Sequence, residues 1–137
     1  MCLGNVCRSP MAELVLRREL AGRDVLVESA GIGAIDGAPI DPSALAVLEA
    51  HGLEGRGHAA RRLEKWMIHH ADLVLVMERA QMHFMQRQIP SAAGRTFGLG
   101  RWLDDIDVPD PFGQPIATFE SLYGTIERAS REWSARV

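Results

Sequence analysis

Two rhythms of apolar and polar positions run through the chain, and they alternate. Met11, Leu14, Val15 and Leu16 are interleaved with Glu13, Arg17, Arg18 and Glu19. That spacing predicts an amphipathic helix over residues 9–21, with Ser9 as N-cap, Pro10 at the first helical position and Gly22 closing it. Val25-Leu26-Val27 is a short β-branched run and predicts a buried strand. A loop rich in glycine and alanine follows over residues 29–40. Asp41-Pro42 then caps a second helix through Ala44-Leu45-Ala46-Val47-Leu48, ended near Gly52. After a glycine-rich turn at 53–58, residues 60–70 read as a short helical segment. Leu73-Val74-Leu75-Val76-Met77 is an unbroken apolar run of the kind buried on both faces of a parallel sheet. Residues 78–88 read as a helix stopped at Ile89-Pro90, residues 95–97 as a last short strand, and 98–114 as a loop. A long amphipathic helix over 116–136 closes the chain, with Phe119, Leu122, Tyr123, Ile126 and Trp133 on its inner side. Alternation of this kind predicts an α/β fold: one domain over residues 1–137, a doubly wound four-stranded parallel sheet, and helices on both faces.

Composition narrows the function classes. A formal net charge of −3 gives no basic surface for nucleic acid or anionic membrane. No apolar run approaches a bilayer span and no signal peptide is visible, so no membrane insertion is expected. Two cysteines occur, Cys2 and Cys7, both in the opening loop. They indicate a reducing, cytoplasmic compartment. Cys7 reads either as a small buried thiol or as a partner that bonds Cys2 reversibly on oxidation.

The chemistry is concentrated in Met1-Cys2-Leu3-Gly4-Asn5-Val6-Cys7-Arg8-Ser9-Pro10. A short loop of small residues can curl so that its N–H groups point inward, and a helix beginning just after it adds its positive dipole end. Gly4 and Asn5 tolerate the left-handed backbone that such a nest requires. Converging N–H dipoles and a guanidinium favour the thiolate form of a cysteine at its mouth. Arg8 can hold two oxygens of a phosphoryl group in its planar fork. Ser9 has a double reading, as cap hydroxyl and as hydrogen-bond donor to the Cys2 sulfur. Displacing a phosphate ester also needs a proton donor for the leaving oxygen. Asp110, in Asp107-Val108-Pro109-Asp110-Pro111-Phe112-Gly113, is the candidate. The prolines stiffen the loop and Phe112 sets a flat apolar face beside the acid. An Asp-Pro pair can equally be a helix N-cap, as read at Asp41-Pro42. His51, His69, His70 and His83 read as solvated or packed side chains. Tyr123, the one tyrosine, reads as a core position or a modification site.

The stretch Cys2-Leu3-Gly4-Asn5-Val6-Cys7-Arg8-Ser9-Pro10 resembles the phosphate loop of the low molecular weight protein tyrosine phosphatases, and the Asp110-Pro111-Phe112 motif resembles that family's proton-donor loop. The resemblance spans essentially the whole chain. It implies that Cys2 is the nucleophile, Asp110 the general acid and then base, and that Leu3, Gly4, Asn5, Val6, Cys7 and Arg8 bind the phosphate. A phosphocysteine intermediate forms, with no metal or cofactor. It places His58 as a partner of Asn5, against the plain reading of a solvent-exposed turn histidine. Leu3, Val6, Ile35 and Phe112 are expected to wall the substrate cleft. Where several eukaryotic-type members carry a tryptophan and an aromatic pair, this chain has Ala34-Ile35 and a single Phe112 followed by Gly113. Residues 29–34 and 106–112 are similar to the phosphatases associated with bacterial exopolysaccharide export.

That branch implies a phosphotyrosyl protein substrate, an autophosphorylating bacterial tyrosine kinase. Inorganic phosphate or vanadate would inhibit, and a monomer is expected. In the family an apolar strand runs directly into the cysteine, whereas Met1 alone precedes Cys2 here. The expectation is that the usual first central strand is absent from the 137 residues and that the true protein starts earlier. Two other readings compete. An arsenate reductase of the same fold would relay oxidation through further cysteines, and none follows Cys7. A phosphate- or phosphotyrosine-binding module would use the nest without turnover.

Overall fold

The longest apolar run forms the most regular strand. In the computed structural model, which describes residues 1–137, β1 (Val74–Val76) pairs in parallel with β2 (Thr96–Gly98) in the register Val74 to Thr96, Leu75 to Phe97 and Val76 to Gly98. On the other side of β1 lies the start of the chain: the backbone nitrogen of Met1 donates to the Leu75 carbonyl. Cys2 bridges Gly31 in parallel, and Gly31 bridges Arg62. The order across the layer is therefore Arg62, Gly31, Cys2, β1, β2, with both bridges and the β1–β2 ladder parallel. This is the parallel arrangement expected from alternating strands and helices.

The strand count falls short of four. Only β1 and β2 form a continuous ladder, and the Cys2 and Gly31 segments join by isolated bridges. The strand expected at residues 25–27 does not form; Val25 and Leu26 are 40% and 81% exposed. Residues 25–27 enter no ladder and no isolated bridge. The Val27 carbonyl instead accepts from Nε and Nη2 of Arg17, at 3.0 and 2.8 Å.

The period-2 alternation of β1 divides the core into two layers. Val74 and Val76 pack with Ile68, Met85, Ile89 and Ala92, beneath α3 (Lys65–His70), α4 (Arg79–Gln88) and a 3-10 helix at Pro90–Arg95. Leu75 and Phe97 face the opposite layer, built on α1 (Arg8–Glu19), α2 (Pro42–Ala50) and α5 (Ile116–Ser134). Helices thus cover both faces. The inner stripe of α5 is buried as its spacing predicts, with Phe119 and Tyr123 fully enclosed and Trp133 donating through Nε1 to the Leu99 carbonyl at 2.9 Å.

Two element starts differ from the sequence reading and one agrees with it. Helix α3 covers only Lys65–His70 of the span 60–70, because Ala60 and Arg62 are held in extended backbone contacts with Ala38 and Gly31. Asp41 does cap α2, accepting from Ser43 and Ala44 N–H at 2.8 and 3.3 Å. Ser9 does not cap α1: the helix starts at Arg8, Cys7 is the N-cap residue, and no side chain caps it.

Replacing Phe119 by Ala is expected to cost about 3–5 kcal/mol in urea unfolding, since its side chain is wholly enclosed. Leu26→Ser should change stability by no more than about 0.5 kcal/mol. A loss above about 2 kcal/mol at Leu26 would restore the buried-strand reading.

Candidate active site

The loop between Cys2 and α1 turns back on itself around one sulfur. Asn5 adopts a positive φ of 55°, and its N–H points at Cys2 Sγ, 3.2 Å away. The N–H groups of Leu3, Gly4, Val6, Cys7 and Arg8 donate to no protein acceptor. An uncapped helix start continues directly from this row of free donors. Oriented N–H groups and a helix N-terminus together form a site for an oxyanion.

Asn5 holds the turn. Its side chain is completely buried and fully bonded. Nδ2 donates to Ser9 Oγ (2.8 Å) and Ser29 Oγ (2.9 Å), and Oδ1 accepts from the Arg61 N–H (3.0 Å). The Asn5 carbonyl meets His58 Nε2 at 2.7 Å, so the histidine reaches the backbone of this residue and not its amide. Ser29 in turn hydrogen-bonds Glu13 on α1. Ser9 Oγ lies 2.9 Å from Cys2 Sγ. This explains why Ser9 is not the cap: its hydroxyl is engaged by the thiol and by Asn5. Gly31 lets the next segment close in, since a Cβ there would sit 2.6 Å from the Leu3 carbonyl oxygen and 2.8 Å from the Asn5 nitrogen.

Arg8 is the buried charge of the site, with a side chain 3% exposed. Its Nη1 donates to Glu78 and to the Val108 carbonyl (2.9 Å). Its Nη2 lies 3.7 Å from Asp110 Oδ2. The structure therefore brings Cys2, Arg8 and Asp110 to one place from opposite ends of the chain. Asp110 is half-exposed, and its other oxygen accepts from the Phe112 N–H at 3.1 Å. That bond is local to the loop and caps no helix, because α5 starts at Ile116. Leu3, Ile35 and Phe112 are 55%, 78% and 67% exposed, and Val6 is half-buried. Gly33 N–H bonds the Leu3 carbonyl and ties the Ile35 loop to the nest. These residues give the mouth an apolar rim.

Cys7 differs from Cys2. Burial first, then the carboxylates of Asp41 and Asp110, push its thiol up to about 12. Both cysteines are free and buried. Cys7 is consequently protonated at neutral pH, as a packed thiol. No group of three or more His, Cys, Asp or Glu side chains is placed to hold a metal ion.

Glu78, Ser29, Glu13 and Arg61 belong to this site and were missed in the sequence. A usable signal existed for Glu78, which directly follows the strongest strand. Carboxyl ends of parallel strands are where sites form in such sheets. Ser29, Glu13 and Arg61 carried no local signal. Glu78 also lines a concavity of about 130 Å³ with Met82, His83 and Asp107, whereas Cys2 and Arg8 do not.

A thiol in a ring of free amides, a buried arginine and a loop carboxylate, on a parallel sheet, form a site suited to a phosphate-sized oxyanion. A profile described as "Low molecular weight phosphotyrosine protein phosphatase" matches residues 1–137, and the chain belongs to that family. It is 41% identical over 137 residues to the probable low molecular weight protein-tyrosine-phosphatase EpsP of Ralstonia solanacearum, covering 100% of this chain and 92% of the relative. The crystal structure of the tyrosine phosphatase Wzb from Escherichia coli K30 in complex with sulphate superposes with a TM-score of 0.93 at 38% identity, covering 98% of this chain and 93% of the other. The YwlE arginine phosphatase from Geobacillus stearothermophilus superposes with a TM-score of 0.90 at 33% identity, covering 98% and 88%.

Two outcomes follow from this geometry. Gly31→Ala should weaken vanadate binding at least about tenfold, since the new methyl collides with loop backbone and a small misplacement of a nest is costly. Unchanged affinity would show that the loop does not depend on that approach. Cys7 makes stability fall with rising pH. Its folded pKa, about 12, lies above its ordinary value of 9.0. Between these values the unfolded thiol is ionised while the folded one keeps its proton, so stability is intact below the lower value and is lost through the upper. Chemical denaturation of wild type and Cys7→Ala across pH 8–11 should show the steeper decline in wild type. Parallel curves would remove Cys7 from the account.

Proposed function

We propose that this chain is a protein tyrosine phosphatase working through a phosphocysteine intermediate. The run of free N–H donors around Cys2, closed by the buried Arg8 guanidinium with Asp110 beside it, carries this reading. The phosphoryl oxygens lie in the nest, held by the loop amides and by the Arg8 fork. Cys2 Sγ attacks phosphorus, the bond to the tyrosyl oxygen breaks, and Asp110 gives that oxygen its proton. Water then attacks the phosphocysteine, Asp110 takes the water's proton, and the thiolate leaves as phosphate is released. Ser9 donates to that sulfur and stabilises its negative charge. Asn5 and His58 hold the backbone that the amides hang from. The loop and Arg8 neutralise the phosphate charge through protein groups, so no metal is assigned.

The rim of Leu3, Val6, Ile35 and Phe112 favours an aryl ester. A phosphoserine brings no ring to pack on that rim, and a phosphoarginine would set its polar guanidine against apolar side chains. The physiological substrate proposed is an autophosphorylating bacterial tyrosine kinase in exopolysaccharide production, dephosphorylated in the cytoplasm by a monomer. No helix of this chain is long and apolar enough to cross a membrane. An arsenate reductase reading finds no cysteine beyond Cys7 to carry the oxidation onward.

Steady-state hydrolysis of phosphotyrosyl, phosphoseryl and phosphoarginyl peptides tests the reading. Turnover is expected with the first, abolished by Cys2→Ser and unaffected by a chelator. Asp110→Asn should lower kcat by about 10²–10⁴-fold. Equal turnover of all three peptides would refute the aryl selectivity. Vanadate binding without turnover of any would replace the enzyme by a binding module.

A further inference from the structure

Nη1 of Arg8 has two hydrogens and two acceptors, Glu78 and the Val108 carbonyl. The remaining edge, Nε and Nη2, makes no hydrogen bond within the protein, and its nearest anion is Asp110 at 3.7 Å. That distance is beyond hydrogen bonding. This edge is the one that grips two phosphoryl oxygens at once. Glu78 is itself fixed: it lies two residues past the end of β1 at the N-cap position of α4, and Gln81 Oε1 accepts from the N–H groups of Met77 (2.8 Å) and Glu78 (3.1 Å). The Val108 N–H bonds the Met77 carbonyl at 2.7 Å, so the acid loop is anchored to the same strand end.

We infer that Glu78 is a positioning residue, which turns the free edge of Arg8 toward the nest and keeps that edge from pairing with Asp110. The inference rests on the phosphatase reading for its kinetic consequences, but its binding consequence stands apart from turnover. Without Glu78, the nearest carboxylate to a buried guanidinium is the proton donor. An Arg8–Asp110 pair would withdraw Nη2 from the phosphoryl group. It would also hold Asp110 in the ionised form that cannot donate. One side chain thereby protects both functions, from a position that need not touch substrate.

The test uses Glu78→Ala, Glu78→Gln and, as a control, Glu49→Gln from the exposed Arg56–Glu49 pair. Vanadate affinity is measured by calorimetry, kcat and KM on phenyl phosphate and on the better-leaving p-nitrophenyl phosphate, and the folded state by thermal melting. Glu78→Ala is expected to weaken vanadate binding and lower kcat/KM by about 10- to 100-fold. The loss should be larger on phenyl phosphate, which depends more on the proton donor. Glu78→Gln keeps a neutral acceptor for Nη1 at equal volume and should recover part of both losses. The control should match wild type. Lowered melting temperature with unchanged vanadate affinity and unchanged kcat/KM in the folded protein would overturn the inference, leaving Glu78 a structural ion pair. If wild type binds vanadate but turns over neither ester, the phosphatase reading fails, and the vanadate arm alone still decides for or against Glu78.

Discussion

A row of peptide N–H groups can face one point only if the chain between them leaves the ordinary backbone regions. Here that demand falls on Asn5, held at a φ of 55° with its side chain out of water. The left-handed backbone costs about 1–2 kcal/mol, and a buried amide left unpaired would cost about 1–3 kcal/mol more. The fold offsets both by giving that amide partners from separate parts of the chain. Ser9 comes from α1, Ser29 from the extended segment after it, and Arg61 from the stretch before α3. Much else follows from this one constraint. Ser9 cannot cap its helix, Gly31 cannot carry a side chain, and the first turn of α1 is left open toward the nest.

Charge is distributed just as narrowly. Arg8 is almost wholly buried, and a buried cation needs compensation. Two carboxylates and a backbone carbonyl surround it, yet they differ in consequence. Glu78 and Val108 both take Nη1, and Asp110 stands off at 3.7 Å from Nη2. The compensation is thus arranged on one edge, which leaves the opposite edge available for an anion. The sheet makes this possible, because Cys2, Gly31, Glu78 and the loop after β2 all emerge at one end of it. Cys7, only five residues from Cys2, meets a different environment: its buried thiol sees carboxylates and keeps its proton.

Local chemistry was sufficient for much of this in the sequence. Helix α2 was legible because Asp41, Pro42 and Gly52 act on their own neighbours. The inner stripe of α5 and the apolar run of β1 were legible because periodicity reports burial directly. Cys2, Asn5 and Arg8 were legible because they lie within one short loop whose geometry their residue types dictate. Asp110 stood out because displacing a phosphate ester asks for a proton donor, and the fold sets it 3.7 Å from Arg8, although nothing local distinguishes it from a capping aspartate.

What the sequence by itself determined, then, is the set of elements and the nest, since each rests on residues a few positions apart. Tertiary structure alone decided the rest. Val25-Leu26-Val27 has the composition of a strand, but a strand also needs a pairing partner, and here the Val27 carbonyl is taken by the Arg17 side chain while Leu26 stays exposed. Ser9 has the position of a cap, but its hydroxyl is claimed by Asn5 and Cys2. Glu78 looks like an ordinary surface residue at a helix start and is bound to Arg8, seventy positions away. Hydrogen-bond and charge partners so remote in sequence leave no periodic trace along it. They are fixed by the order in which the parallel segments lie side by side, which only the folded chain establishes.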